Sequence, residues 1–158
     1  MPPGELPAGF SLSPGGVLSG STTVAGPTSF TVTATDQSGF TASRVYTLTI
    51  DPNVATHFEV SVPSSATAGN PTVDRGVAFS LTLTVKDAYG NVVTGYTGTI
   101  HFSSTENRAT LPANYTFTAA DKGVHTFTGL ILSRRGMQTI TVWDESNNIM
   151  LKTTIDVL

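Results

Sequence analysis

Three histidines, His57, His101 and His125, are the residues of this chain whose chemistry best suits a metal ion. A metal site needs its ligands to converge and their second ring nitrogens to be held. His57 alternates with Phe58, and His101 lies between Ile100 and Phe102, so both are expected to point away from a core. They also fall on strands expected in opposite sheets, and His125 is assigned to the surface with them. No metal site is expected from this pattern. Asp36, Asp51, Asp87 and Asp144 stand at the ends of alternating stretches, where loops could gather them around calcium. Calcium takes about six to eight oxygens, and no Asp-x-Asp-x-Asp-Gly loop is present. Asp and Asn also build turns by bonding their own backbone. No cofactor is therefore expected, with calcium at the strand ends left open.

Catalysis finds less support. The chain lacks Gly-x-Ser-x-Gly, His-Glu-x-x-His and any phosphate-cradling glycine loop. Glu106 and Asp121 could be imagined as an acid pair, but any two surface carboxylates would serve as well. The expectation is that this is not an enzyme. Trp143 is the most distinctive side chain. In "QTITVWD", Ile140 and Val142 share the core face, which turns Trp143 outward or to the strand's end. An outward aromatic face can stack on a sugar ring, and Tyr89 and Tyr96, flanking the Gly90-Asn91 turn, could join it. The opposing reading is that these aromatics pack against the chain's own loops or its other module.

The elements that would position these residues are strands. Helical periodicity is nearly absent, and period-2 alternation recurs between Gly, Pro, Asn and Asp punctuation. "GFSLS" and "GVLSG" read as short strands around Pro14-Gly15-Gly16. "SFTVTATD" and "FTASRVYTLTI" form a hairpin by pattern, with Phe30, Val32, Tyr46, Leu48 and Ile50 on one apolar face. A linker is expected at 51–54, because Asp-Pro interrupts a ladder. Seven strands follow: "THFEVSVP", "AFSLTLTVKD", "YTGTIHFSS", "NYTFTAAD", "VHTFTGLILS", "QTITVWD" and "IMLKTTIDVL". About seven strands in about 100 residues is the measure of an immunoglobulin-like sandwich.

Composition agrees with this reading and narrows the partners. Only 12% of the 158 residues are charged, and Ser and Thr supply the polar positions. The net charge of −3 is spread out, with no basic stripe, so no nucleic-acid footprint is expected. Cysteine is absent, which excludes disulfides and thiolate metal sites. No apolar run reaches the roughly 18 residues of a membrane span, so no membrane insertion is expected. "MPPGELPAGF" has neither a basic nor an apolar signal-peptide region, which places any export signal elsewhere.

The stretch "LPAGFSLSPGGVLSG…TVTATD…YTLTI" resembles the immunoglobulin-like domain repeated in large bacterial surface and secreted proteins. The matching residues are Leu6, Pro7, Gly9, Gly16 to Gly20, Thr31 to Asp36 and Tyr46 to Ile50. The likeness covers the second half of that family's pattern. Residues 55–158, with "DAYGNVVTGYTGTIHFSST", "ATLPANYTF" and "GVHTF", look like another bacterial Ig-like repeat. One departure is "NPTVDRGV", which follows Ala68-Gly69 and is expected as a protruding loop or a longer edge. Some Ig-like adhesin domains carry a Lys–Asn isopeptide bond. Lys86 and Lys152 are out of phase with their apolar neighbours, and Lys122 sits in a turn, so none is expected to be buried.

The resemblance implies an all-β, antiparallel Ig-like β-sandwich: a partial module at 1–50, a linker at 51–54 and a complete module at 55–158. It implies a non-catalytic tandem structural or adhesion module, a spacer or stalk, on a bacterial extracellular or cell-surface protein. The rival reading is a carbohydrate-binding accessory module of a secreted hydrolase, with Trp143 as the stacking residue and a polysaccharide as partner. The apolar face of Phe30, Val32, Tyr46, Leu48 and Ile50 would lack its covering sheet. It is expected to meet the second module, a protein partner or a second copy in a homodimer.

Overall fold

The computed structural model describes residues 5–63 and 70–158; the inserted stretch 70–77 lies within them, and Ala68 and Gly69, which precede it, lie outside them. The chain divides into two compact units, Met1–Pro52 and Asn53–Leu158. Both are all β, and among the described residues no helix is long and apolar enough to cross a membrane.

Unit 1 holds two separate hairpins. Strands β1 (Phe10–Leu12) and β2 (Leu18–Gly20) pair across the Pro14-Gly15-Gly16 turn, where Gly16 takes φ 82°. Strands β3 (Gly26–Thr35) and β4 (Thr41–Ile50) pair without a break from Gly26↔Ile50 to Thr35↔Thr41. Asp36 makes that turn, its Oδ1 accepting the N–H of Ser38 at 2.8 Å and of Phe40 at 3.0 Å. This is a short acidic side chain replacing a backbone acceptor in a turn.

Unit 2 contains β5 (His57–Ser61), β6 (Thr72–Val73), β7 (Phe79–Lys86), β8 (Thr99–Ser104), β9 (Tyr115–Thr116), β10 (Val124–Leu130), β11 (Gly136–Asp144) and β12 (Ile149–Val157). They form two sheets, in the orders β10-β7-β5 and β6-β12-β11-β8-β9. One core packs between them, which makes the unit an Ig-like β-sandwich. Alternation builds this core directly. Leu81, Leu83 and Val85 of β7 are fully buried, while the threonines between them face out. Ile140 and Val142 of β11 and Ile155 of β12 meet them from the other sheet side of the core. Each such side chain contributes about 1.5–3 kcal/mol of burial.

Three features depart from simple alternation. Among the described residues all strand pairings are antiparallel except one: β6 runs parallel to β12, with Asp156↔Thr72 and Val157↔Val73 in register. The inserted stretch therefore supplies a longer edge. In β10 the register shifts between Phe127 and Leu130, beside Gly129 at φ 77°. That glycine bulge turns both Phe127 and Leu130 inward, although three positions separate them. The expected strand "NYTFTAAD" is shorter than its pattern. It ends at Thr116 and passes into a 3-10 turn at Ala119–Asp121.

Candidate functional site

The aromatic set proposed from the sequence separates in space. Trp143 is half-buried on the outer face of the larger sheet, between its cross-strand partners His101 and Met150. Its ring stacks on His101 at 5.3 Å and 21°. Tyr89 is 58% exposed in the turn after β7. Tyr96 belongs to the core and is not a surface residue: it is 6% exposed and packs edge-on against Phe58 and Phe117. Its position next to a turn suggested the surface, but its hydroxyl has a buried acceptor, the Asp144 carboxylate. Trp143, Tyr89 and Tyr96 thus form no common stripe.

Asp144 and Asp87 are buried carboxylates that organise turns. Asp144 accepts from Tyr96, from the Ser146 N–H at 2.8 Å and from the Asn147 side chain at 2.6 Å. Burial opposes its ionisation, but these hydrogen bonds prevail and lower its pKa. Burial, and then the carboxylate itself, push the Tyr96 hydroxyl up, so the proton stays on the tyrosine. Asp87 accepts N–H groups from Tyr89 and Asn91 at 2.9 Å and from Asn53 at 3.0 Å, with the Asn91 side chain at 2.9 Å. Burial works to raise its carboxyl, yet the Asn91, Asn53 and Tyr89 bonds hold it at about 2. Asp36, Asp87 and Asp144, raised above as calcium ligands, thus each accept turn N–H groups. Among the described residues no group of three His, Asp or Glu is placed to hold a metal ion.

A third carboxylate assembles a cluster at the edge of the core. Asp121 Oδ2 accepts the Thr118 N–H at 2.7 Å and hydroxyl at 2.8 Å, and Oδ1 accepts the Tyr115 hydroxyl at 2.9 Å. His125 Nδ1 lies 2.8 Å from the same Oδ1, and an ionised carboxylate can only accept, so Nδ1 carries the proton. The His125 ring stacks on Tyr115 at 3.9 Å and lies 4.7 Å from Phe127. His125 therefore points inward, against the surface placement expected for all three histidines. Its phase is that of Phe127, two residues on, and this is the signal the sequence held. The Thr118 N–H and the His125 contact hold the Asp121 carboxyl well below the carboxylate range.

Because the pKa values of Asp87, Asp121 and Asp144 are depressed in the fold, their stabilisation is present above the unfolded value of about 4. It is lost as pH falls toward the folded values. Urea midpoints of unit 2 are therefore expected to stay level from about pH 7 to 5 and to drop between about pH 4 and 2. A midpoint that stays level to pH 2 would contradict the hydrogen-bond assignments.

Glu106 and Asp121 serve separate hydrogen-bond sets and make no acid pair. Both Glu106 oxygens lie 2.9 Å from the Ser133 N–H, and the residue is 5% exposed. Lys86 reaches the Gly90 carbonyl at 2.9 Å and Glu59 at 3.6 Å, and Lys152 is exposed. In unit 1, Phe30 is buried and stacks on its partner Tyr46 at 6.0 Å, with Arg44 5.3 Å above the Tyr46 ring. Val32, Leu48 and Ile50 are half-buried along the same two strands.

One grouping was not foreseen. Arg75 lies between β6 and β7, Arg108 between β8 and β9, and Arg134 and Arg135 between β10 and β11. These are four of the five arginines in the chain. They line two adjoining open concavities of about 660 and 590 Å³ that share Arg75, Ser133 and Arg135. The Arg134-Arg135 doublet was the one visible signal; Arg75 and Arg108 join it only through the fold.

The extended β3–β4 hairpin, its Asp36 turn and the short β1–β2 pair are the features that "LPAGFSLSPGGVLSG" and "TVTATD" anticipated. Residues 1–51 match the family model described as "Putative Ig domain". This Ig-domain match takes in unit 1 up to its penultimate residue and about a third of the chain. No curated protein matches the chain in sequence. Among solved structures, the S-layer protein rSbsC(31-844) aligns with 97% of this chain at 18% identity and TM-score 0.46, and the chain spans 19% of its length. Domains 4 and 5 of the S-layer protein SbsC align with 75% at 20% identity and TM-score 0.45, the chain spanning 63% of that structure. Bacteroides uniformis beta-glucuronidase 3 aligns with 89% at 10% identity and TM-score 0.43, the chain spanning 18% of it.

Proposed function

We propose that the chain is a non-catalytic tandem Ig-like module of a bacterial extracellular or cell-surface protein, serving as a spacer or stalk segment. The Ig-domain match of residues 1–51 supports the setting. The observation that carries the load-bearing role is the parallel β6–β12 pair. Asp156 N–H bonds the Pro71 carbonyl at 2.9 Å, Leu158 N–H bonds Val73 at 3.0 Å and Arg75 N–H bonds Leu158 at 3.3 Å. Tension entering unit 2 from its N-terminal side and leaving through β12 pulls these two parallel strands in opposite directions. The bonds are then strained together in shear and do not open one after another. The buried carboxylates fit the same role, since each fixes a turn or loop by accepting its backbone N–H groups. Trp143 favours this reading over sugar stacking, because one of its faces already lies against His101.

Single-molecule stretching of the full chain, spliced between marker domains, tests the proposal. Asp156→Pro removes the N–H that faces Pro71 while the opposite edge of β12 keeps its ladder to β11. Its unfolding force is expected to fall clearly below wild type, with an equilibrium cost of about 1–3 kcal/mol. An unchanged unfolding force would remove the load-bearing role.

A further inference from the structure

We propose that the arginine-lined concavity of unit 2 binds an anionic polysaccharide through its carboxylate or phosphate groups. The charge is concentrated there against the character of the molecule. The chain carries a net charge of −3, yet four of its five arginines meet at these three loops. Asp74 and Glu106 are the carboxylate side chains in the lining, so positive charge prevails locally. Among the described residues none of the four guanidinium groups is ion-paired. All four arginines are exposed to solvent.

The loops that present them are held from below. Arg75 Nε donates to the Ser133 carbonyl at 2.8 Å, and the Gly76 N–H donates to Leu132 at 2.8 Å, which ties the first loop to the third. Buried Glu106 receives the Ser133 N–H at 2.9 Å, tying the second loop to the third immediately before Arg134. A buried carboxylate beneath exposed guanidinium groups costs desolvation, and the loop geometry it enforces offsets that cost. Holding charged donors in place before a ligand arrives reduces the ordering cost of binding.

The lining selects the ligand class. A guanidinium fork matches carboxylate and phosphate oxygens in paired hydrogen bonds. No aromatic residue lines either concavity, so a base-stacking platform for single-stranded nucleic acid is lacking among the described residues. Apolar side chains are nearly absent too, whereas a protein partner needs buried aromatic or aliphatic anchors. An open, polar, multi-arginine groove fits a hydrated polymer that carries one negative group per sugar or per repeat. Binding here does not depend on the spacer role.

The test is titration of the full chain with polygalacturonate, a glycerol-phosphate polymer, neutral dextran and a DNA duplex of matched length. Polygalacturonate or the phosphate polymer is expected to bind, and the tighter of the two identifies the anion. Arg134→Gln/Arg135→Gln is expected to weaken that binding about tenfold or more, while its thermal melt stays at the wild-type position. Lys122→Gln/Lys152→Gln removes equal charge elsewhere and is expected to change affinity less than about twofold. Affinity is expected to fall as NaCl rises from about 50 to 300 mM. Equal binding of dextran, or equal losses in the two double variants, would overturn the site. Tighter binding of the DNA duplex would overturn the polysaccharide assignment.

Discussion

Truncating Phe117 to alanine is expected to destabilise unit 2 by about 3–5 kcal/mol, measured by urea denaturation with tyrosine and tryptophan fluorescence. Phe117 is 1% exposed and closes the core beside the 3-10 turn. It meets Tyr96 at 5.3 Å, Tyr115 at 5.6 Å and His125 at 6.0 Å, each ring edge to face. Its loss removes the buried area, these ring contacts and the wall that shelters the Asp121 cluster. The residue lies just past β9, but its N–H still bonds the Gly98 carbonyl at 3.0 Å, so the backbone is pinned and cannot collapse into the gap. A cost under about 1 kcal/mol would mean that the cavity refills, and the ring arrangement described here would be wrong.

Gly98→Ala is expected to destabilise unit 2 severely for a single added methyl. A Cβ at this position would overlap Asp144 Oδ2 and the Tyr96 hydroxyl. The glycine is required by close approach, since its φ lies outside the left-handed region. The buried Tyr96–Asp144 pair has no free direction in which to move, because Asn147 and Ser146 hold the other side of the carboxylate. Overpacking of this kind costs about 1–3 kcal/mol, and the broken pair adds to it. Tyr96→Phe removes one of the clashing atoms. The double variant is therefore expected to be less destabilised than the sum of the singles, with a coupling above about 0.5 kcal/mol. Additive costs in that cycle would show that Gly98 acts through some contact other than Tyr96.

Much of the fold was legible from alternation. In β7, β11 and β12 the aliphatic residues at alternate positions, such as Leu81, Leu83, Val85, Ile140, Val142, Ile155 and Val157, went to the core, because a strand with one wet face has no other way to bury them. The same rule placed His57, His101 and Lys152 on the outer faces of their strands. It failed at Gly129, where a bulge breaks the period and brings Phe127 and Leu130 to one face. It also failed for the polar residues that share the core's phase. Asp87, Asp144 and Glu106 were read as ordinary surface or turn residues, although a buried carboxylate and an exposed one look alike until its donors are located.

The candidate site shows the same division. By itself, the sequence determined that this is an all-β chain with turns built by Asp, Asn and Gly, since each of those signals acts within about ten residues. It also determined which strand faces are apolar. Tertiary structure alone decided that Tyr96 lies inside and that Trp143 rests on His101. It decided too that Arg75, Arg108, Arg134 and Arg135 share one concavity. Local pattern fixes the direction of a side chain relative to its own strand. Which other loops stand beside that strand's end depends on sheet order and register, and those are set by the packing of the whole core.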